Sequence, residues 1–340
     1  MLEIKENVSL AEYSTMRLGG PARYFTKVTM PGQLAEAVEW ARDNNAPWQV
    51  IGGGSNIIVT DKGFEGLIIF NAIKGVAFVA KDKYTILQAG AGENWDSVVR
   101  QASERQLHGI AELSLIPGTV GATPVQNVGA YGREVSEIIS SVEAYDSHTK
   151  SWVTLSPEDC GFAYRSSIFN GSERGRYAIA SVVYHLPHKA KAAPTYESLA
   201  EYLKQYNITE HDPLTIRNAV IAVRQSKLPN PDHVANTGSF FKNPIVDSQT
   251  AAPLLGANPK APHFHLPDGR IKLLAGWLID QTGLKGYADR GLKIYRKNAL
   301  VIVNESAESY ADLATFRDDI VLRVKDFSGI TLEQEPEIVG

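Results

Sequence analysis

Three short segments carry side chains that could do chemistry. In Phe162-Ala163-Tyr164-Arg165-Ser166-Ser167 an arginine stands beside an aromatic residue and small ones. A guanidinium in that setting can clamp a carboxylate through two hydrogen bonds, although such an arginine is more often a surface or bridging residue. In Asn236-Thr237-Gly238-Ser239-Phe240-Phe241-Lys242-Asn243-Pro244 a serine sits between glycine and two aromatics. One reading is an exposed hydroxyl in a dry pocket, with Lys242 and Asn243 donating to an anionic group. The other is a hairpin in which Ser239 bonds only backbone. Leu332-Glu333-Gln334-Glu335-Pro336-Glu337 places acids at alternate positions, so that on a strand Glu333, Glu335 and Glu337 share a face. His263 and His265, near Asp268, could set two imidazoles on one strand face, but no convincing third ligand accompanies them and no metal site is expected. Cys160 is the one cysteine, which excludes an internal disulfide, and it reads as packing. No G-x-S-x-G elbow is present.

The elements that would position these groups begin with glycine-rich turns. Ser114–Gly132 contains four glycines and two prolines and few charges. Gly52-Gly53-Gly54-Ser55-Asn56 follows the strand-like Pro47–Ile51, and Gly90-Ala91-Gly92-Glu93-Asn94-Trp95 follows Tyr84–Gln88. Each run could be a tight crossover. Three of them at strand ends favour a cradle in which backbone N–H groups face a phosphate or a flat ring. The third glycine of the dinucleotide fingerprint is missing from both short runs, and no G-x-x-x-x-G-K-[ST] occurs, which disfavours the Rossmann and P-loop solutions.

Around these turns the chain reads as mixed α/β. Strands are predicted at 23–28, 47–51, 57–59, 67–70, 84–89, 138–145, 151–154 and 177–186. A helix is predicted with Leu34, Ala37, Val38 and Ala41 on one face, and another over about 94–106 with Trp95, Val98, Val99 and Ala102 inward. Pro187–Pro194 reads as a linker, followed by helices at 196–206 and 213–226. A separate α+β unit then has a helix over 271–279, a strand over 299–303, a helix with Leu313, Phe316, Ile320, Val324 and Phe327 on one face, and a strand over 330–333. The 340 residues have a hydrophobic content of 44%, a charged content of 21% and a net charge of -4. With no basic stripe, nucleic-acid binding is not expected. The N-terminus does not read as a signal peptide, and the apolar runs fall short of the ~20 residues of a membrane span. A cytoplasmic protein with no membrane insertion and no obligatory protein partner is expected.

Taken together, these segments resemble the UDP-N-acetylenolpyruvoylglucosamine reductase family of flavoenzymes, in the subclass with a tyrosine on a substrate-covering loop. The resemblance runs from Ser14-Thr15-Met16-Arg17-Leu18-Gly19-Gly20 through the glycine runs, Gly238–Pro244 and Ala275-Gly276-Trp277-Leu278-Ile279-Asp280 to the terminal Leu-Glu-x-Glu. It implies an α+β, mixed α/β chain with a two-subdomain FAD-binding fold of the vanillyl-alcohol-oxidase type and a C-terminal α+β substrate-binding domain. The implied boundaries are 1–70, then 71–210 joined by the strand 331–340, then 211–330. FAD, held non-covalently, would lie against Gly52, Gly53, Gly54, Ser55, Asn56, Gly118, Thr119, Gly121, Ala122, Asn127, Gly129, Ala130 and Tyr131. NADPH would be the reductant and a nucleotide-sugar enolpyruvyl ether the small-molecule substrate.

By the same resemblance Arg165 would stabilise charge on the substrate carboxylate, Glu335 would lie by that group, and Ser239 would protonate C2. Glu337 takes the place of Glu335 if the register slips by two. Tyr164, Tyr196, Lys227, Asn243, Lys272 and Asn298 would contact substrate. Phe264, Tyr295 and Asn298 depart from the subclass pattern of tyrosine, histidine and glutamine at presumed diphosphate or nucleoside contacts. Alternatives of other kinds are an FAD-dependent sugar or lactone oxidase of the same fold, and a nucleotide-sugar-binding protein without catalysis.

Overall fold

The computed structural model describes residues 2–189 and 196–340. In chain order the elements are β1 (Lys5–Ser9), β2 (Pro21–Val28), α1 (Pro31–Asp43), β3 (Trp48–Ile51), β4 (Ile57–Val59), β5 (Phe64–Asn71), β6 (Val76–Ala80), β7 (Tyr84–Gly90) and α2 (Trp95–Glu104). There follow β8 (Gly129–Ala130), β9 (Arg133–Glu134), β10 (Ile139–Asp146), β11 (Ser151–Leu155), β12 (Tyr177–Pro187), α3 (Glu197–Gln205) and α4 (Pro213–Lys227). The rest are β13 (Ala235–Ser239), β14 (Ile245–Val246), α5 (Ser248–Ala257), β15 (His263–His265), β16 (Ile271–Leu273), α6 (Ala275–Gln281), β17 (Ala288–Asp289), β18 (Leu292–Ile294), β19 (Val301–Asn304), α7 (Tyr310–Ser328) and β20 (Glu337–Val339).

The chain divides into two compact units. The first comprises Met1–Val8, Ala22–Gly54 and Glu65–Ser226, and the second Ser9–Pro21, Ser55–Phe64 and Lys227–Gly340. In the first, one sheet has the order β1-β2-β5-β3, with β3 and β5 parallel, and a second has the antiparallel order β11-β10-β12-β7-β6. The predicted helix faces are the buried ones. Leu34, Ala37, Val38 and Ala41 of α1 pack with Val28, Leu67 and Ile69. Trp95, Val98, Val99 and Ala102 of α2 pack with Leu87, Val142 and Val182. Asn94 caps α2 by accepting the Ser97 N–H at 2.9 Å.

The second unit has a sheet of order β13-β19-β18-β17, a small sheet of order β14-β16-β15, and a parallel pair β20-β4. Its core joins Phe240, Phe241, Leu278 and Ile279 to Leu313, Phe316, Ile320 and Val324 of α7. The start of α7 is held by Asp61, which accepts the N–H groups of Tyr310 at 2.6 Å and Ala311 at 3.0 Å.

Several expectations change. The last strand is 337–339, in register with 57–59, and 330–333 forms no strand. The C-terminal strand therefore joins the second unit and not the 71–210 segment, and the implied boundary at 70 falls inside the first unit. The division comes at Ser226, not at the Pro187–Pro194 segment, of which 190–194 lies outside the described residues. The run 271–279 splits. Ile271 and Leu273 are buried with Lys272 between them, a strand period, and α6 starts at Ala275, whose N–H donates to Asn243 Oδ1 at 3.0 Å. Phe327 is exposed, beyond the buried stripe of α7. Strand β6, with its mostly exposed pattern, was not expected.

Candidate active site

The glycine runs of the first unit are held against one another. Gly121 N–H donates to Ala91 C=O at 2.8 Å, Val120 N–H to Glu93 C=O at 2.9 Å, and Trp95 N–H to Gly118 C=O at 3.1 Å. A Cβ on Gly52 would collide with the Thr119 side chain, one on Gly121 would come 2.6 Å from Ala91 Cβ, and one on Gly53 would lie 3.1 Å from Gly118 Cα. Glycine at these positions allows backbone to approach backbone. Gly53, Pro117 and Ala122 stay exposed along the joined turns. Ser55 and Asn56, next along the chain, belong to the second unit.

Beneath this cradle is a buttress absent from the sequence reading. Arg217 on α4 donates both Nη groups to Asp96, at 2.6 and 2.7 Å, and Asp96 also accepts the N–H of Leu115 at 2.5 Å. Burial pushes the Asp96 carboxyl up, but Arg217 and the Leu115 amide outweigh it and hold the group below the usual carboxylate range. Leu115 has a φ of +57°, so this contact fixes a left-handed residue at the entry to the cradle. Seven residues on, Arg224 hydrogen-bonds Tyr131, and its buried Nε has no partner among the described residues. Burial lowers the Arg224 pKa and raises that of Tyr131. Arginines seven apart on a helix whose Ile216, Val220 and Val223 are buried were the available sequence signal.

Arg165 lies in the same unit. Its Nη2 donates to Gly129 C=O at 2.7 Å, and its guanidinium sits 5.1 Å from the Tyr164 ring centroid. Gly129 and Ala130 form β8, which pairs with β9. The buried Asn127 is bound within the protein: Nδ2 donates to Glu134 at 2.8 Å and to Ala163 C=O at 3.1 Å, and Oδ1 accepts the Ser136 N–H at 3.1 Å. Its side chain ties the glycine turn to the Arg165 turn. Tyr131 and Tyr196 meet edge to face at 5.4 Å, and Tyr196 is exposed just before α3.

The second unit carries Ser239, Glu335, Lys227, Asn243, Lys272 and Asn298. Ser239 ends β13, opposite Val301, after a register shift that coincides with Gly238 at a φ of +73°. Phe240 and Phe241, both fully buried and 5.2 Å apart edge to face, anchor the following residues. The terminal segment lies antiparallel to them: Lys242 N–H donates to Glu333 C=O, and Glu335 N–H to Phe240 C=O, each at 2.9 Å. Glu335 thus stands beside the residue that follows Ser239. Glu333 is paired with Lys242, and Glu337 starts β20, its N–H donating to Asn56 C=O at 2.9 Å. Of the three acids only Glu337 lies in a strand. Asn243 starts α6 through its Oδ1, Lys272 lies on β16 between Ile245 and Phe264, and Asn298 Oδ1 accepts the Leu300 N–H at 3.0 Å.

Other candidates form no site. A cavity of about 270 Å³ in the first unit is lined by Lys83, Tyr84, His108, Glu112, Arg133 and Glu137 among others. It gathers none of the expected site residues, and its Arg133 is paired with both Glu112, at 3.5 Å, and Glu137, at 3.0 Å. His263 and His265 lie 5.1 Å apart, and among the described residues no group of three His, Cys, Asp or Glu could hold a metal. Burial pushes the Cys160 thiol up to about 12, which makes it a poor nucleophile. Among the described residues no helix is long and apolar enough to cross a membrane.

A family model described as "FAD binding domain" matches residues 22–155, the stretch that holds the glycine turns of the first unit. Fold and family model together define a flavin-dependent oxidoreductase. A second model, "UDP-N-acetylenolpyruvoylglucosamine reductase, C-terminal domain", matches residues 230–339. The chain is 40% identical to the UDP-N-acetylenolpyruvoylglucosamine reductase of Ralstonia nicotianae over 97% of each protein. It is 40% identical to that of Neisseria meningitidis serogroup A over 99% of this chain and 97% of the relative. The crystal structure of the reductase from Thermus caldophilus matches in fold with a TM-score of 0.68, at 24% identity, over 100% of this chain and 99% of that one. The chain belongs to the UDP-N-acetylenolpyruvoylglucosamine reductase family. It is a reductase of peptidoglycan precursor synthesis, with FAD as cofactor and NADPH as reductant.

Proposed function

We propose that Arg165, Ser239 and Glu335 carry the reduction of the enolpyruvyl ether to the lactyl ether. When bound, FAD supplies the relay of a hydride from NADPH to C3 of the enolpyruvyl group. Addition at C3 puts negative charge on C2 and the adjoining carboxylate. Arg165 stabilises that charge with a charge-assisted hydrogen bond. Ser239 delivers its hydroxyl proton to C2, which a weak acid can do when rigidly held in a water-poor site. Glu335 would lie by the same carboxylate group. The observation that carries this reading is the hydrogen bond from Glu335 N–H to Phe240 C=O, which brings the terminal acid alongside the serine segment.

The exposure of Gly53 and Ala122 on the joined turns supports a cofactor site there. Gly52, Gly53, Gly54, Gly118, Thr119, Gly121, Ala122, Gly129, Ala130 and Tyr131, with Ser55 and Asn56, would hold FAD non-covalently, and the buried unpaired Nε of Arg224 is suited to an acceptor on a ligand. Asn127 supports this group through its ties to Glu134 and Ala163. Tyr164, Tyr196, Lys227, Asn243, Lys272 and Asn298 would contact the nucleotide sugar. The enzyme would act in the cytoplasm on a small molecule, without an obligatory protein partner.

Anaerobic stopped-flow with Ser239→Ala tests the assignment. Flavin reduction by NADPH should survive, while reoxidation by the enolpyruvyl substrate and product formation fall about 100-fold or more. Unchanged turnover would remove Ser239 from the mechanism.

A further inference from the structure

We propose that Asn170 is a positioning residue for Arg165, a role that rests on the catalytic reading of Arg165 given above. Arg165 is the third residue of the turn Ala163–Ser166. Ser166 N–H donates to Ala163 C=O at 3.1 Å, and Ala163 N–H to Ser166 C=O at 2.9 Å. Within that turn Arg165 has a φ of +54°. Glycine adopts this left-handed backbone freely and asparagine tolerates it, whereas the Cβ of a long side chain meets the neighbouring carbonyl. Such strain persists where the surroundings over-determine it.

Asn170 supplies that constraint on Arg165 itself. Its Nδ2 donates to Arg165 C=O at 3.3 Å, and its Oδ1 accepts the Ser167 N–H at 2.9 Å. Ser167, buried, donates its Oγ to Val125 C=O at 2.6 Å. On the far side of the turn Asn127 donates to Ala163 C=O at 3.1 Å. The guanidinium is held separately, by Gly129 C=O and the Tyr164 ring. Both ends of Arg165 are therefore fixed, and Asn170 is a side chain that grips its backbone.

Asn170→Asp isolates this contact, because the carboxylate still accepts the Ser167 N–H but cannot donate to the Arg165 carbonyl. The two half-reactions of the holoenzyme are followed by anaerobic stopped-flow, alongside amide hydrogen exchange of the protein without substrate. Reoxidation by the enolpyruvyl substrate should slow about tenfold, as small misplacements of a catalytic group do. Flavin reduction by NADPH should stay within about twofold, and exchange at Ser166 should quicken while β10 is unchanged. In an Arg165→Lys background, the added Asn170→Asp should change reoxidation by less than about twofold. If Arg165→Lys slows reoxidation and Asn170→Asp does not, the positioning role is overturned and the catalytic reading stands. Equal slowing of both half-reactions by Asn170→Asp also overturns it, because a general structural role would produce that. If Arg165→Lys reoxidises at the wild-type rate, the catalytic reading falls and the positioning role falls with it.

Discussion

In the first unit the groups expected to hold FAD are backbone turns that brace one another, Gly121 on Ala91, Gly118 on Trp95 and Gly52 against Thr119. In the second unit the groups expected to act on substrate are side chains, Ser239 and Glu335, on two strips of chain far apart in sequence that meet at Phe240. The first arrangement depends on the absence of side chains and the second on two large ones, Phe240 and Phe241, being buried. A cradle for a large flat cofactor needs close backbone approach, which glycine alone permits. A hydroxyl that must give up a proton at a fixed point needs an immobile support, which packed aromatics provide.

Removing one of those aromatics strikes the second arrangement hardest. Phe241→Ala should cost about 3–5 kcal/mol of stability, read by urea unfolding, and should slow reoxidation by substrate. A loss below about 1 kcal/mol would mean that the Ser239 strip does not rest on this anchor. The first arrangement should give way to an added side chain. Gly121→Val forces its Cβ onto Ala91 and should cost about 1–3 kcal/mol, together with retention of FAD. Undiminished FAD binding in Gly121→Val would show that the turns need not touch.

A smaller effect separates the cradle from the sheet behind it. Asp146, buried on β10, accepts two hydrogen bonds from Arg176, at 3.0 and 2.7 Å, and that pairing holds its carboxyl well below the usual range. Because the folded pKa is depressed, the stabilisation is fully present above the unfolded value of about 3.9. It is lost as pH falls through the folded value. Asp146→Asn should therefore flatten the acid branch of the stability profile below about pH 4 while leaving FAD affinity at neutral pH unchanged. A profile that keeps its slope would deny Asp146 this role.

The first unit was far more legible in sequence than the second. The faces of α1 and α2 follow from periodicity within a single helix, and the glycine runs declare themselves locally. What escaped was non-local. Strand β20 was misplaced because its partner β4 lies 280 residues earlier, and no local pattern encodes that register. The apolar run 271–279 suits a strand or a helix equally, and Asn243 decides where the helix begins. Asp96, Arg217 and Arg224 give no local signal because charged residues on a helix usually face solvent, and here α2 turns Asp96, and α4 the two arginines, inward. The side-chain ties of Asn127 to Glu134, Ala163 and Ser136 are likewise not written in its motif.

The most direct test of this division of labour is the visible spectrum of the purified protein after adding FAD and removing the excess, for wild type, Ser239→Ala and Gly121→Val, with folding checked by circular dichroism. The account predicts oxidised-flavin bands carried by wild type and Ser239→Ala alike, and bands lost or weakened in folded Gly121→Val. Folded wild-type protein that retains no flavin, or Gly121→Val that retains it fully, would contradict the glycine turns as the seat of the cofactor.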